Sequence, residues 1–203
     1  MNKRGIVRVC VIVAALLLTL AVTIGAEEKK RRPRPSTYIE ARGGVFLPSG
    51  DWNEGGWEPK ENFALALGYH FLPFLALEAG FHHFRISNFQ TSPFYVGQKL
   101  AANGIVLTPK LIYPVKRLEF YLGASAGFYW IENGVDYNTG LSAGYYEEND
   151  AIWGFHGLAG ASFDILRWLY VGLEGRYVTL LNFLDKSNIT GWALTIGIGF
   201  RFL

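Results

Sequence analysis

From Thr37 onward apolar and polar positions alternate with a period of two, and the alternation breaks only at clusters of Gly, Pro, Asn and charge. The pattern predicts eight strands, at residues 37–47, 61–71, 74–87, 101–113, 118–131, 151–165, 168–182 and 191–203. Connections alternate as well. Short ones fall at 72–73, 114–117 and 166–167, and long polar ones at 48–60, 88–100, 132–150 and 183–190. Short turns at one end and long loops at the other are the asymmetry of a transmembrane barrel, and an even strand number returns both termini to the short-turn side.

The content of the faces separates membrane from water. In the last strand Trp192, Leu194, Ile196, Ile198, Phe200 and Phe202 share one face, opposite Ala193, Thr195, Gly197, Gly199 and Arg201. In the fifth, Leu118, Phe120, Leu122, Ala124, Ala126, Phe128 and Trp130 oppose Glu119, Tyr121, Gly123, Ser125, Gly127 and Tyr129. A soluble lipocalin-type barrel or β-sandwich also alternates, but its outer face is rich in Lys, Glu and Thr. Here the polar face is mostly Gly, Ala and Ser with isolated charges, which suits the cramped inside of an eight-stranded barrel. The apolar face must then look outward into lipid. Closure follows, because lipid offers the backbone no hydrogen-bond partner. Aromatics near strand ends (Tyr69, Phe71, Tyr113, Phe120, Trp130, Trp153, Trp192, Phe202) fit interfacial girdles. The expected fold class is all-β, an eight-stranded antiparallel up-and-down transmembrane barrel spanning 37–203.

Composition agrees: half of the 203 residues are hydrophobic, 16% are aromatic, 18% are charged, and 24 are Gly. Such a chain is not disordered, and with one Cys it is not a disulfide scaffold. Residues 1–26 read as a secretory signal. Lys3, Arg4 and Arg8 precede an apolar run, and Ala26 supplies a small residue at the cut. An uncleaved anchor is the competing reading, and the charged stretch directly after Ala26 favours cleavage. Cys10 leaves with the signal, so the mature chain has no thiol for disulfides or catalysis. Three cations leave and no anion does, so 16 basic residues face 17 acidic ones and no nucleic-acid surface is expected. Residues 27–36 (EEKKRRPRPS) hold no apolar side chain and read as a flexible basic periplasmic tail.

The segments Gly44-Val45-Phe46-Leu47-Pro48-Ser49-Gly50-Asp51, Phe63-Ala64-Leu65-Ala66-Leu67-Gly68-Tyr69 and Leu75-Ala76-Leu77-Glu78-Ala79-Gly80-Phe81 resemble the opening of small outer-membrane β-barrel proteins, the OmpA-, OmpX- and OmpW-like "porin family". The ending Gly197-Ile198-Gly199-Phe200-Arg201-Phe202-Leu203 is similar to the strand signal read by the barrel-assembly machinery, with Phe200 and Phe202 as its aromatics and one residue following the last. The resemblance covers 37–203. It implies a bacterial outer-membrane location with long loops outside, contact with outer-membrane lipids and lipopolysaccharide, and a monomer. No peptidoglycan-binding domain is expected after the eighth strand.

Candidate chemistry sits on the inward face. Glu40, Arg42, Glu78, Lys110, Glu119, Asp164, Glu174, Arg176 and Arg201 bring five acids and four bases into a narrow lumen, where isolated charge is costly and pairing is expected. Adjacency suggests Glu40 with Arg201 and Glu78 with Lys110. Such a network reads as a plug, or alternatively as a polar conduit for a solute. His70, His82 and His156 project inward and His83 outward, toward a headgroup. The His-x-Ser pattern of lipid A deacylases is missing, so the His are expected to hydrogen-bond inside the plug rather than catalyse. No cofactor or metal is expected. The loops are acidic, with Asp51, Glu54, Glu58 and Glu61 against Lys60, and Glu132, Asp136, Glu147, Glu148 and Asp150 with no cation beside them. Asp51-x-Asn53 hints at a calcium loop, but its twelfth position is Asn62 rather than Glu. The sequon Asn188-Ile189-Thr190 is a chance match in such a protein. The expected role is structural or surface-exposed, with solute passage of the OmpW kind as the alternative.

Overall fold

A computed structural model describes residues 36–90, 95–138, 143–183 and 187–202. The export segment and all of the tail except Ser36 lie outside the described residues. Among those described, eight antiparallel strands close a barrel in chain order: β1 (Ser36–Pro48), β2 (Glu58–Leu72), β3 (Leu75–Gln90), β4 (Tyr95–Val115), β5 (Leu118–Asn138), β6 (Ala143–Asp164), β7 (Leu169–Phe183) and β8 (Ser187–Phe202). β1 pairs with β8 from Thr37↔Phe202 to Pro48↔Gly191, so the sheet has no free edge. The first long connection carries one helical turn, α1 (Asp51–Glu54).

Inside and outside alternate as the sequence requires. Leu65, Leu107, Phe155, Leu173 and Ile196 are at least half exposed on the outer wall, while Ala66, Val106 and Ala193 are buried inside. Exposed aromatics frame this belt: Trp130, Trp153, Tyr177 and Trp192 toward the long-loop end, and Tyr69, Phe71, Tyr113, Trp168 and Phe202 toward the short-turn end. From Trp192 to Phe202 a strand tilted by about 40° climbs roughly 25 Å, the height of a membrane barrel's apolar band.

The strands run farther than their expected bounds at the long-loop end. β4 begins at Tyr95 rather than 101, β5 continues to Asn138 rather than 131, and β6 begins at Ala143 rather than 151. The polar segments between are paired strand, from Ile131↔Asp150 to Asn138↔Ala143. Their polarity marks a wall that faces water, not the end of the sheet. Asn62, the twelfth position of the supposed calcium loop, sits inside the barrel and is 2% exposed.

Four inward tyrosines each lie over a glycine of the adjacent strand. Tyr38 lies opposite Gly68, Tyr121 opposite Gly160, Tyr129 opposite Gly104 and Tyr170 opposite Gly199. In each pair the ring occupies the space that a glycine Cβ would need. Bulky rings fit the narrow interior because their neighbours have no side chain.

Candidate functional site

All nine charged residues assigned to the lumen face inward, and they form two groups. At the short-turn mouth Arg201 donates from Nη1 to Asp164 at 2.6 Å and from Nη2 to Glu119 at 2.5 Å. Its guanidinium lies over the Tyr170 ring, 4.6 Å from the centroid. The expected Glu40–Arg201 pair does not form. The residue opposite Arg201 is Tyr38, and Glu40 faces Gly199.

Deeper in the barrel Arg42 is the hub. It donates to both oxygens of Glu40 at 2.9 and 2.7 Å and to both oxygens of Glu78 at 3.0 and 2.8 Å. Glu78 also receives Lys110 at 2.5 Å, the pairing expected from adjacency, and the Tyr38 hydroxyl at 3.0 Å. Glu174 binds Arg176 at 2.8 Å through Oε1, while its Oε2 stands 3.7 Å from Lys110 and 3.8 Å from Arg42. Arg42, Glu78, Lys110 and Arg176 are each under 5% exposed. Arg42 and Glu78 are paired and multiply hydrogen-bonded, the condition under which buried charge is tolerated, whereas Glu174 Oε2 lies within ion-pair reach of two cations but has no hydrogen-bond partner among the described residues. Between the two groups the interior leaves a pocket of about 20 Å³, room for little more than one water.

Above the charges is a neutral relay. The Tyr129 hydroxyl stands 2.7 Å from His82 Nδ1 and 2.9 Å from His156 Nε2, and His156 Nδ1 is 3.3 Å from Arg176 Nη1. Arg176 can only donate, so His156 Nδ1 accepts and its proton sits on Nε2. That proton goes to the Tyr129 oxygen, whose hydroxyl then donates to His82. One guanidinium thus sets the polarity of three groups.

Toward the loop end the interior becomes apolar. Phe46, Phe84, Ile86, Leu100, Ile131, Val178, Leu180 and Ile189 are all at most 1% exposed. Phe46 stacks on Phe84 with centroids 4.0 Å apart, and Trp52 and Trp57 from the first loop pack against the cluster. Trp52 is tied down by its Nε1–H, which donates to the Asn188 carbonyl at 3.0 Å. Sequence reading missed this core. Its signal was present as Phe84, Ile86, Leu100 and Ile131 alternating with Arg85, Ser87, Lys99 and Glu132.

The outer wall at this end is charged. Arg85 pairs with Glu61 at 2.9 Å, Lys60 with Glu58 at 3.4 Å, and Lys99 with Asp136 at 3.8 Å. The third loop's acids therefore do have a cation nearby, supplied by the adjacent strand. The Glu61 carboxyl is held below the usual carboxylate range by its own backbone amide and by Arg85. His83 points outward as expected, against Phe63 with ring centroids 4.6 Å apart, and its Nδ1 is 2.6 Å from Asn103 Oδ1.

A closed ring of eight strands, apolar outside and charged within, is decided by comparison with known proteins. The family model described as "Outer membrane protein beta-barrel domain" matches residues 12–202. The chain belongs to that family. This barrel is accordingly an outer-membrane protein of bacteria, and its apolar belt faces lipid. Neisserial surface protein A is similar in fold, with a TM-score of 0.54 at 17% identity over 84% of this chain and all of that one. The attachment invasion locus protein Ail of Yersinia pestis gives 0.53 at 15% over 84% of this chain and all of that one. OprG of Pseudomonas aeruginosa gives 0.53 at 12% over 82% of this chain and 95% of that one. No curated protein matches the chain in sequence.

Proposed function

We propose that this barrel is a structural, surface-exposed protein of the outer membrane, monomeric and non-enzymatic, whose lumen carries no steady flow of solute. Both termini lie in the periplasm and the long-loop end lies outside the cell. Phe200 and Phe202, exposed on the outer wall, serve the assembly machinery during insertion. The observation that supports a closed lumen is its double filling: an ion network across the membrane half, then a packed apolar core sealed by Trp52 and Trp57. His82 and His156 are turned inward into this filling, away from any lipid substrate.

Contact with other molecules then falls to the exposed end. Ail has been solved with the heparin analogue sucrose octasulfate. In the present chain the exposed loop end carries Glu54, Glu58, Glu61, Glu132, Asp136, Glu147, Glu148 and Asp150 against Lys60, Arg85 and Lys99, a charge balance that repels a sulfated sugar. Planar-bilayer recording tests the reading. Wild-type protein should show little or no steady conductance, and a large stable conductance would replace the structural barrel with a channel.

A further inference from the structure

Closure removes every edge where all eight strands run together, but the strands are not equally tall. β6 pairs with β7 from Asp164↔Tyr170 to Gly154↔Leu180 and, among the described residues, not beyond. On its other side β6 stays paired with β5 to the last pair, Asn138↔Ala143. Residues 143–153 therefore form one margin of a sheet that stands above the ring. The opposite margin, residues 88–90 of β3, is short, and Asn88 already donates there to the Gly55 carbonyl at 2.7 Å.

The backbone along β6 is aimed at the unpaired side. Asp164 N–H donates toward β5, to the Arg117 carbonyl at 2.8 Å, and the β5–β6 register runs on without a shift. Successive residues of a strand turn their N–H and C=O groups to opposite sides. Tyr145, Glu147, Asn149 and Ala151 therefore turn theirs away from β5. Ala151 N–H is met by its neighbour's carboxylate, Asp150 Oδ1, at 2.7 Å, a local substitute for a strand. Such a row of backbone groups is a template for an added strand.

The side chains choose which strand. Trp153 and Phe155 are exposed on the outer wall, so by parity Tyr145 and Glu147 share the outer face, with Tyr146, Glu148 and Asp150 on the other. The cations of the adjoining wall, Arg85 and Lys99, sit on Glu61 and Asp136. Among the described residues none pairs with Glu147, Glu148 or Asp150; Glu147 receives only the Tyr145 hydroxyl, at 3.2 Å. Two copies joined through this margin would set acid against acid, which opposes pairing. A segment carrying Lys or Arg on both faces would meet Glu147 on one side and Glu148 and Asp150 on the other. The Tyr145 and Tyr146 rings, 62% and 57% exposed, offer such cations their faces.

We propose that residues 143–151 of β6 bind an extended, Lys- or Arg-rich segment of another protein by strand addition. The proposal rests on the surface-exposed reading above and names the partner that it leaves open.

The full barrel in nanodiscs is titrated with a synthetic peptide of about eight residues, the length of an ordinary strand, built from the repeat Lys-Lys-Val-Thr. Wild type should bind it and should not bind the Glu-Glu-Val-Thr counterpart. N-methylation of the peptide backbone keeps the charge but removes its donors, and should weaken binding about tenfold or more. Charge reversal, Glu147→Lys with Glu148→Lys, should move the preference to the Glu peptide. Asn149→Pro should weaken the Lys peptide about tenfold or more in a barrel that still assembles, because the lost N–H faces away from β5 and Pro is accepted on an edge. Heat-modifiable gel mobility certifies folding, and the charge reversal keeps the test alive if Asn149→Pro does not assemble.

Equal binding of the N-methylated peptide would mean charge attraction alone and overturn strand addition. Self-association of the wild type that Asn149→Pro abolishes would make a second copy the occupant and overturn the cationic partner. Labelling of Asn149→Cys on intact cells with a membrane-impermeant maleimide tests orientation by itself. No labelling would overturn a partner outside the cell even where nanodisc binding holds. Labelling without peptide binding would overturn the edge as a site and leave the surface-exposed reading standing.

Discussion

The two halves of this barrel obey the same alternation with opposite sign. Across the membrane half, Leu107, Phe155 and Ile196 face out while Arg42, Glu78 and Lys110 face in. In the loop half, Arg85, Lys99 and Glu132 line the outer wall while Phe84, Leu100 and Ile131 fill the inside. The strands are continuous through both. What changes is the solvent around the wall. Lipid accepts only an apolar surface, which leaves the interior to polar side chains that must satisfy one another. Water accepts charge, so the interior can be an ordinary hydrophobic core.

The largest effects should come from emptying either interior. Arg42→Ala takes the cation from Glu40, while Glu78 keeps Lys110, and should cost about 3–5 kcal/mol, the loss expected when a buried pair loses one member. Phe84→Ala should cost a similar 3–5 kcal/mol for a different reason, a cavity in a packed core. Replacing Arg42 and Glu40 together with apolar residues of similar volume, which leaves Glu78 on Lys110, should recover much of the first loss. No second polar deletion should rescue Phe84→Ala. Urea titration of the barrel in micelles reads both, and a large rescue of Phe84→Ala would mean that the halves are not distinct.

The outer walls should differ next. Ile196→Arg puts charge at the middle of the belt and should cost about 2–4 kcal/mol, seen as a smaller heat-modifiable fraction. Ala101→Arg, on the water-facing wall, should stay within about 0.5 kcal/mol. Equal costs would place both positions in the same solvent. Gly68→Ala should cost about 1–3 kcal/mol by overpacking against the Tyr38 ring, a penalty that a second change, Tyr38→Leu, should relieve. The finest test separates the two ionic groups of the membrane half. Arg201→Ala and Glu119→Ala should couple by roughly 0.5–3 kcal/mol, whereas Arg201→Ala and Arg176→Ala, which share no partner, should add.

Strand number, closure and the inward direction of all nine charges were legible because each needs only parity. Which charges meet was not, because a staggered, tilted barrel displaces the row that joins two strands. Glu78 and Lys110 sit on strands adjacent in sequence, with Ala76 directly opposite Lys110 and Glu78 one inward position along, within reach of the long Lys110 side chain, and they were found. Glu40 and Arg201 belong to strands that meet only at closure, and there the register sets Tyr38, not Glu40, opposite Arg201. The loop-half core was obscured for another reason. Phe84-Arg85-Ile86 lay inside the expected strand at 74–87, but Lys99-Leu100 fell in the segment 88–100, whose high polarity was read as loop when it marked a change of solvent.

The sealed apolar core has a thermal consequence. Unfolding the loop half hydrates Phe46, Phe84, Leu100, Ile131 and Leu180, all buried at 0% or 1% exposure, and should add a positive heat-capacity change. The ion network of the membrane half carries no such signature, since exposing polar groups lowers heat capacity. Cooling therefore weakens the loop half first, as the entropic force that holds it fades. Near freezing, Trp52 and Trp57 would be the first side chains released from the core, and their fluorescence would shift while the girdle tryptophans stayed in lipid.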